Sequence, residues 1–244
     1  METMIKVENL TKQFMGLKAI DDLTMEIPAG VATGRIGPNG SGKTTLMNVL
    51  TGLLSPEAGT IFINERRFRK IKPNMLRRLK IARSFQDGRL IEQLSVEDNL
   101  LLPVAENRYW HSLAECNINA YREKLENVLD TTGLSSHRYK NAGELSYGQQ
   151  KLLEIGRTLM QNAEIYFFDE PFTGLFPEAV EQILAIMQKL KTAGKTLIII
   201  EHNMNLIERL CDYAVVLDHG TLLAEGTPAE VLKNEQVREA YLGK

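Results

Sequence analysis

The chain has 244 residues, of which 43% are hydrophobic and 25% are charged, which is enough for one large domain or two small ones with a buried core. Its formal net charge of −2 argues against an overall basic protein that binds nucleic acid, and we expect no nucleic-acid partner. Cys116 and Cys211 have neither metal-site spacing nor a disulfide framework, which indicates a reducing, cytosolic compartment. Residues 1–8 do not resemble a signal peptide, and the longest apolar runs are too short to cross a bilayer. Any attachment to a membrane is therefore expected to come through partners.

The first elements are two predicted strands. Residues 4–10 and 23–27 alternate apolar and polar side chains, which favours an antiparallel pair. Phe14 lies between them, and two interpretations are open: a minor core residue, or a ring on which a nucleotide base stacks.

Residues 37–44 carry the pattern G-x-x-x-x-G-K-[ST]. The glycines allow the backbone to turn its N–H groups around a phosphate, and Lys43 adds a charge for the β- and γ-phosphates. The hydroxyl of Thr44 can bind Mg²⁺, and the helix predicted from residue 45 points its positive end at the same anion. The alternative is an ordinary glycine-rich turn before a helix. The predicted nucleotide-binding residues here are Gly37, Pro38, Asn39, Gly40, Ser41, Gly42, Lys43, Thr44 and Thr45.

Two stretches near this loop are less regular. The strand predicted over residues 31–36 is diluted by Thr33, Gly34 and Arg35; either Arg35 reaches a carboxylate or the strand ends early. Residues 66–83 are strongly basic, and a solvated helical face is the simplest interpretation.

From residue 87 to about residue 160 the composition is typical of helices, with no recognisable strand. Ser146 and Gln149 have the spacing of a capping box, and Gly148 lies beside them. A capped helix terminus of this kind suits a phosphate, although by itself a capped helix is the simpler interpretation.

Charged side chains follow two later apolar strands, which precede a predicted hairpin at residues 213–217 and 221–224. Residues 165–168 end in Asp169 and Glu170, and residues 197–200 are followed by a glutamate and His202. Burying two adjacent carboxylates is costly unless a ligand such as a metal–nucleotide pair binds them. The carboxyl ends of parallel strands meet at one edge of a sheet, so we expect Gly37, Gln86, Asp169, Glu170 and His202 to converge there.

Taken together, these motifs resemble the ATP-binding subunit of an ABC transporter over essentially the whole chain. The loop at 37–44, Gln86, the sequence Leu-Ser-Tyr-Gly-Gln at 145–149, the strand into Asp169-Glu170, and His202 all follow in the family's order. The resemblance implies an α/β P-loop NTPase (RecA-like) core with N-terminal antiparallel β strands and an inserted α-helical subdomain. The core would comprise residues 1–86 and 164–244, and the helical subdomain residues 87–163.

The resemblance also implies ATP and Mg²⁺ as cofactors. Asp169 would hold the Mg²⁺ shell through water, Glu170 would polarise the attacking water, and Phe14 would stack on adenine. The implied catalytic residues are Glu170, His202, Lys43 and Gln86, and the implied metal residues are Thr44, Gln86 and Asp169. A second ATP-binding subunit would pair head to tail, so that the signature of one subunit closes on the ATP of the other. The signature residues concerned are Ser146, Gly148 and Gln149.

Two residues depart from the family pattern. Tyr147 replaces the first of the two usual signature glycines, and Phe176 replaces an aspartate that many members carry in the loop after the catalytic strand. The motifs at 85–90, 94–100 and 237–243 are similar to those of branched-chain amino-acid importers. Importers of urea or short amides and the lipopolysaccharide-export ATPase remain alternatives, and a non-transport ABC ATPase or a non-hydrolysing module is a weaker one.

The resemblance implies transmembrane permease subunits as partners and, through them, a substrate-binding protein, at the cytoplasmic face of the membrane. We expect Asp87, Gly88, Arg89, Leu90 and Ile91 to line a groove for a permease helix. The alternative is that Leu90 and Ile91 simply pack under the helical unit.

Overall fold

A computed structural model describes residues 2–84, 90–105 and 115–242. The strands are β1 (Thr3–Phe14), β2 (Leu17–Pro28), β3 (Ala32–Ile36), β4 (Ala58–Ile63), β5 (Arg66–Phe68), β6 (Ile81–Arg83), β7 (Ile165–Asp169), β8 (Thr196–Ile200), β9 (Tyr213–Asp218) and β10 (Thr221–Gly226). The helices in these ranges are α1 (Lys43–Leu50), α2 (Val96–Ala105), α3 (Glu115–Thr132), α4 (Tyr147–Leu159), α5 (Pro177–Thr192), α6 (Met204–Leu210), α7 (Pro228–Val231) and α8 (Glu235–Leu242). Gln86, Asp87, Gly88 and Arg89 lie outside the described residues.

The strands form two sheets. The six-stranded sheet has the order β10-β9-β3-β8-β7-β6, with parallel pairing from β9 to β6 and an antiparallel edge strand, β10. The other sheet has four antiparallel strands in the order β2-β1-β4-β5. Ile5 pairs with Ile27 and Val7 with Met25, so the predicted N-terminal antiparallel pair is confirmed. The α/β architecture expected from the sequence is therefore present.

The six-stranded sheet separates two apolar clusters. Side chains that alternate along β7 and β8 enter different clusters: Phe167 and Ile198 join one, and Phe168 and Ile199 the other. The first cluster also contains residues from α1 and the four-stranded sheet, and the second contains residues from α2 to α6. These strands are buried on both faces, which explains why they are continuously apolar.

The described residues between β6 and β7 contain helices and no named strand, as predicted. α4 packs against α2, α3 and α5, and its apolar side faces their buried leucines. The boundaries of a separate helical subdomain at residues 87 and 163 stay a prediction.

The structure excludes one alternative and corrects one expectation. β3 does not end early: it continues through Arg35 to Ile36, and Arg35 is fully buried. Gly34 leaves room for α6, since a Cβ atom there would lie 2.8 Å from Cδ1 of Ile207 and would displace that side chain. Residues 66–83 are not helical; they form β5, a short 3₁₀ turn and β6. Pairing of Phe68 with Ile61 of β4, and of Ile81 with Ile165 of β7, overrides the local pattern.

Candidate nucleotide-binding and catalytic site

The loop between β3 and α1 curls tightly, and two glycines make this possible. Gly37 and Gly42 have φ angles of 148° and 98°. A Cβ atom would lie 2.3 Å from the carbonyl oxygen of Leu217 at the first position and 2.4 Å from that of Ala19 at the second. Only glycine permits both the backbone conformation and this close approach.

Lys43 begins α1 and is almost completely buried. Its Nζ donates hydrogen bonds to the carbonyl oxygens of Gly37 (2.6 Å) and Pro38 (2.9 Å), which places the ammonium inside the curl of the loop. Burial, and next the cation of Arg35, lower the pKa of Lys43, and the carboxylates of Glu170 and Asp169 oppose this shift. Lys43 thus donates hydrogen bonds to the loop and is attracted by the charges of both carboxylates.

Thr44 and Thr45 follow on the first turn of α1, and Thr44 is exposed. The remaining predicted loop residues, Pro38, Asn39, Gly40 and Ser41, complete the turn, and a hydrogen bond from Ser41 N to the Pro38 carbonyl (3.2 Å) closes it.

Asp169 is the last residue of β7 and is 2% exposed. Its Oδ2 lies 3.3 Å from the guanidinium of Arg83, the last residue of β6. Burial raises the pKa of Asp169, and the charge of Arg83 opposes this. Oδ1 has no hydrogen-bond partner among the described residues. A buried carboxylate oxygen that is left in this way suits the hydration shell of Mg²⁺.

Magnesium fits the residues present only if a nucleotide supplies further ligands. In the described part of the chain, no group of three His, Cys, Asp or Glu side chains is arranged to hold a metal ion. Thr44 and Asp169 would provide only a partial set of oxygen ligands, and phosphate oxygens would have to complete it.

Glu170 and His202 are brought together, as the sequence predicts. Oε1 of Glu170 lies 2.9 Å from Nε2 of His202, and Oε2 accepts a 3.4 Å hydrogen bond from the hydroxyl of Thr173. Glu170 has a φ of 48°, and its N–H donates to the carbonyl of Ile200 in β8 (3.0 Å). The backbone thus turns sharply at the strand end and aims the carboxylate at the residue that follows β8.

The signature residues lie at the start of α4, which packs against other helices. Ser146 is the N-cap of α4: its N–H donates to Oε1 of Gln149 (3.0 Å), and its Oγ accepts from the N–H of Gln149 (3.4 Å), which confirms the capping box. The amide nitrogen of Gln149 lies 3.3 Å from Nε2 of His137, so its side chain holds the cap. Gly148 is half-buried in the first turn, and a Cβ atom there would lie 3.4 Å from Cβ of Ala179.

The comparisons with known proteins agree with this geometry. A family model described as "ABC transporter" matches residues 20–173, and one described as "Branched-chain amino acid ATP-binding cassette transporter" matches residues 221–244. The chain belongs to the ATP-binding cassettes of ABC transporters.

Curated relatives match over their full length. The high-affinity branched-chain amino acid transport ATP-binding protein BraF of Pseudomonas aeruginosa is 33% identical, with 99% of this chain and 98% of the relative covered. The probable branched-chain amino acid transport ATP-binding protein LivG of Methanocaldococcus jannaschii is 34% identical, with 99% and 98% covered.

Solved cassettes share the fold. A nucleotide-free ATP-binding cassette from an ABC transporter is 33% identical, with a TM-score of 0.86 and 99% of this chain and all of that chain covered. A cassette described as a dimeric post-hydrolysis state bound to ADP and Pi is 26% identical, with a TM-score of 0.80 and 92% and 99% covered. The cassette described here is accordingly an ABC-type ATPase with the P-loop NTPase fold. Among the described residues, no helix is long and apolar enough to span a membrane.

Phe14 ends β1 and is 45% exposed, with Nζ of Lys12 5.1 Å from the ring centroid. It is therefore not a core residue, and the base-stacking interpretation stays available. We expect Phe14→Ala to weaken ATP binding by about 1 kcal/mol, because an aromatic contact is lost. Calorimetry with ATP and with bare triphosphate checks this, and Leu17→Ala in the same hairpin is the matched control. Equal losses for both ligands would rule out stacking.

Tyr147, the unusual signature residue, contacts the loop that follows Glu170. Its hydroxyl donates to the carbonyl oxygen of Thr173 (3.3 Å), and a Cβ atom on Gly174 would lie 3.3 Å from its ring. Since the hydroxyl of Thr173 in turn donates to Glu170, the start of α4 and the carboxylate of Glu170 are linked within one chain.

We expect Tyr147→Phe to lower kcat about threefold to tenfold with an unchanged KM, on the scale of one hydrogen bond. Steady-state kinetics and the thermal midpoint of unfolding measure this together. Tyr139→Phe, at another exposed tyrosine, is the control and should have no effect. A shift in the unfolding midpoint without a change in kcat would make Tyr147 a structural residue only.

Several residues of the site were not predicted from the sequence: Arg83, Thr173 and the buried Glu201. Glu201 accepts hydrogen bonds from the N–H groups of His202 (2.9 Å) and Asn203 (3.0 Å), so it shapes the turn that presents His202. For Arg83 and Glu201 the available signal was a charged residue inside or directly after a short apolar strand, where burial demands a partner; for Thr173 no such signal exists.

The predicted permease groove is only partly described. Leu90 is half-buried and packs against the apolar cluster that contains residues from α2 to α6, while Ile91 is 41% exposed. Asn99 fixes the backbone of Ile91 through both its N–H and its carbonyl, each at 3.0 Å. Of these two residues, Ile91 is the more exposed, and the groove for a permease helix stays a prediction.

Proposed function

We propose that this cassette hydrolyses Mg²⁺-ATP to power the import of branched-chain amino acids through transmembrane permease subunits, at the cytoplasmic face of the membrane. The observation that carries the catalytic part is the contact of Glu170 with His202 at the sheet edge that holds the phosphate loop. The cargo is supported by the family model matched at residues 221–244 and by the names of the relatives.

In this proposal the chain's residues divide the work. The loop N–H groups and Lys43 would hold the phosphates, while Thr44, Gln86 and, through water, Asp169 would hold Mg²⁺, which would neutralise charge on the phosphate oxygens. Glu170 accepts a proton from the attacking water, and His202 contacts the γ-phosphate. The hydrogen bond between Glu170 and His202 fixes the direction of the carboxylate before water attacks.

A second cassette completes the site. Ser146 caps α4 and Gly148 lies in its first turn, so the free N–H groups at this helix end suit a phosphate. The phosphate loop of the same chain precedes α1, which packs against β2, whereas α4 packs against other helices. Such a terminus would therefore serve the nucleotide of a partner, in a homodimer or with a paralogous subunit.

We expect the Glu170→Gln protein to dimerise when ATP is added without Mg²⁺, because the nucleotide then stays intact between the subunits. Light scattering with and without ATP measures the mass. A strict monomer at high protein concentration would exclude self-pairing.

The transport function is tested by uptake. Cells that lack this gene should lose uptake of labelled leucine and valine, and the wild-type gene should restore it while Glu170→Gln should not. Loss of urea or short-amide uptake instead, or a defect in lipopolysaccharide export, would replace the proposed cargo. The binding protein that delivers the cargo acts indirectly, through the permease.

A further inference from the structure

One surface of the cassette is strongly basic. We call residues 66–80 the basic face; it contains no aspartate or glutamate and carries eight of the chain's 29 lysines and arginines, all of them exposed, although the chain has a net charge of −2. These cations are Arg66, Arg67, Arg69, Lys70, Lys72, Arg77, Arg78 and Lys80. The charge is thus concentrated rather than spread over the molecule.

The apolar residues of the same segment are turned inward. Ile71 is 2% exposed, and Phe68, Leu76 and Leu79 pack against the cluster that contains α1. This packing fixes the backbone of the basic face and leaves its outer surface to the cations. None of its large apolar side chains is exposed.

The basic face also rests on the end of α1 that is remote from the phosphate loop. A Cβ atom on Gly52 would lie 2.8 Å from the carbonyl carbon of Lys72. Leu53, the next residue, is 46% exposed. An apolar side chain therefore accompanies the cations, and the nucleotide site lies at the other end of the helix.

Most of these cations lack a counter-charge. Lys80 lies 3.6 Å from Glu164, but Arg66, Arg67, Arg69, Lys70, Lys72 and Arg78 make no ion pair with any residue that the structure describes. Outside the face, Lys6, Lys12, Lys18, Arg138, Lys191, Lys195 and Arg209 are each paired with a carboxylate. Among the described residues, the cations without an ion pair outside the face, such as Arg122 and Lys233, do not form such a dense run in the sequence. Protection of the edge strand β5 accounts for Arg66 and Arg67 only, because the other cations lie beyond that strand.

We propose that the basic face binds anionic phospholipid head groups of the membrane that holds the permease. This rests on the proposed function for the location of the cassette. Clusters of four to eight Lys and Arg side chains are attracted to anionic leaflets, and the six cations named above, with no ion pair among the described residues, are available to an array of phosphates. Nucleic acid is the less suitable partner, because the face exposes no aromatic side chain on which bases could stack.

The test is sedimentation of the full chain with vesicles of phosphatidylcholine alone or mixed with phosphatidylglycerol. Binding should require phosphatidylglycerol and disappear at high salt, since screening shortens the Debye length to about 3 Å at 1 M. Two variants with the same charge change are compared. The face variant is Arg66→Gln/Arg67→Gln/Arg69→Gln/Lys70→Gln, and the control is Arg122→Gln/Lys140→Gln/Lys189→Gln/Lys233→Gln, at four exposed cations elsewhere.

The face variant should lose affinity for the anionic vesicles on the order of a hundredfold or more, given the energy of each cation near such a surface. The control should stay within about threefold of the wild type, because charges beyond a Debye length contribute little. Both variants should keep basal ATPase activity.

Equal losses in both variants, or no binding by the wild type, would overturn the proposal. Preferential binding of single-stranded DNA over the vesicles would replace lipid by nucleic acid. If vesicle binding behaves as expected but Glu170→Gln leaves ATP turnover unchanged, the catalytic proposal fails and the lipid proposal stands.

Discussion

Glu170→Gln is expected to lower kcat for ATP hydrolysis by about 10²- to 10⁴-fold, the usual contribution of a general base. The amide keeps the shape of the side chain and can still face His202, but it cannot accept the proton of the attacking water. Affinity for ATP should stay within about threefold, because the group acts in the transition state rather than in binding. Phosphate release and nucleotide binding, measured on the same protein, separate the two effects.

Glu208→Gln is the matched control, since Glu208 is exposed on α6 and the charge change is the same. It should leave both quantities unchanged. Unaltered turnover in Glu170→Gln would remove Glu170 from the chemistry, and a loss of ATP binding would show that the carboxylate acts through the fold of the site.

Lys43→Met is expected to weaken ATP binding by about 1.5–3 kcal/mol, or roughly 10- to 150-fold, because a charged hydrogen-bond donor to phosphate is lost. Methionine retains most of the length of the lysine side chain, which fills the space inside the loop. It also removes the donor that satisfies the carbonyls of Gly37 and Pro38, so some loss of thermal stability accompanies the binding defect. Calorimetry and thermal unfolding on one preparation measure both.

The control is Lys189→Met, which removes an exposed lysine on α5. If Lys43→Met binds ATP as tightly as this control, the ammonium inside the loop is only structural. A larger loss for ADP than for ATP would also contradict the role assigned to Lys43, since its charge is placed for both the β- and the γ-phosphate.

Arg35 is fully buried, and none of the roles predicted for the nucleotide site explains its charge. The guanidinium of Arg35 makes no hydrogen bond with any described residue, and burial lowers the pKa of Arg35 to about 9, against the attraction of Asp169. The sequence raised two possibilities, a carboxylate partner or an early end of the strand. The strand continues, and Asp169 acts on Arg35 through its charge rather than through a direct contact.

The sequence by itself determined the features that depend on neighbouring residues. The glycine pattern of residues 37–44, the Ser146–Gln149 capping box and the apolar strands each follow from local geometry, so they could be read along the chain. The convergence of Glu170 with His202 was also predictable, because adjacent parallel strands end at the same edge of a sheet.

The tertiary structure decided what depends on packing between distant segments. The pairing of Arg83 with Asp169 and the contact of Tyr147 with Thr173 join residues whose sequence spacing has no period, so no local pattern predicts them. The same holds for the basic face, where burial of Ile71 and its neighbours, rather than helical spacing, sets the conformation and leaves the cations exposed. Such contacts are selected by the shape and charge of the whole fold, which a single segment does not contain.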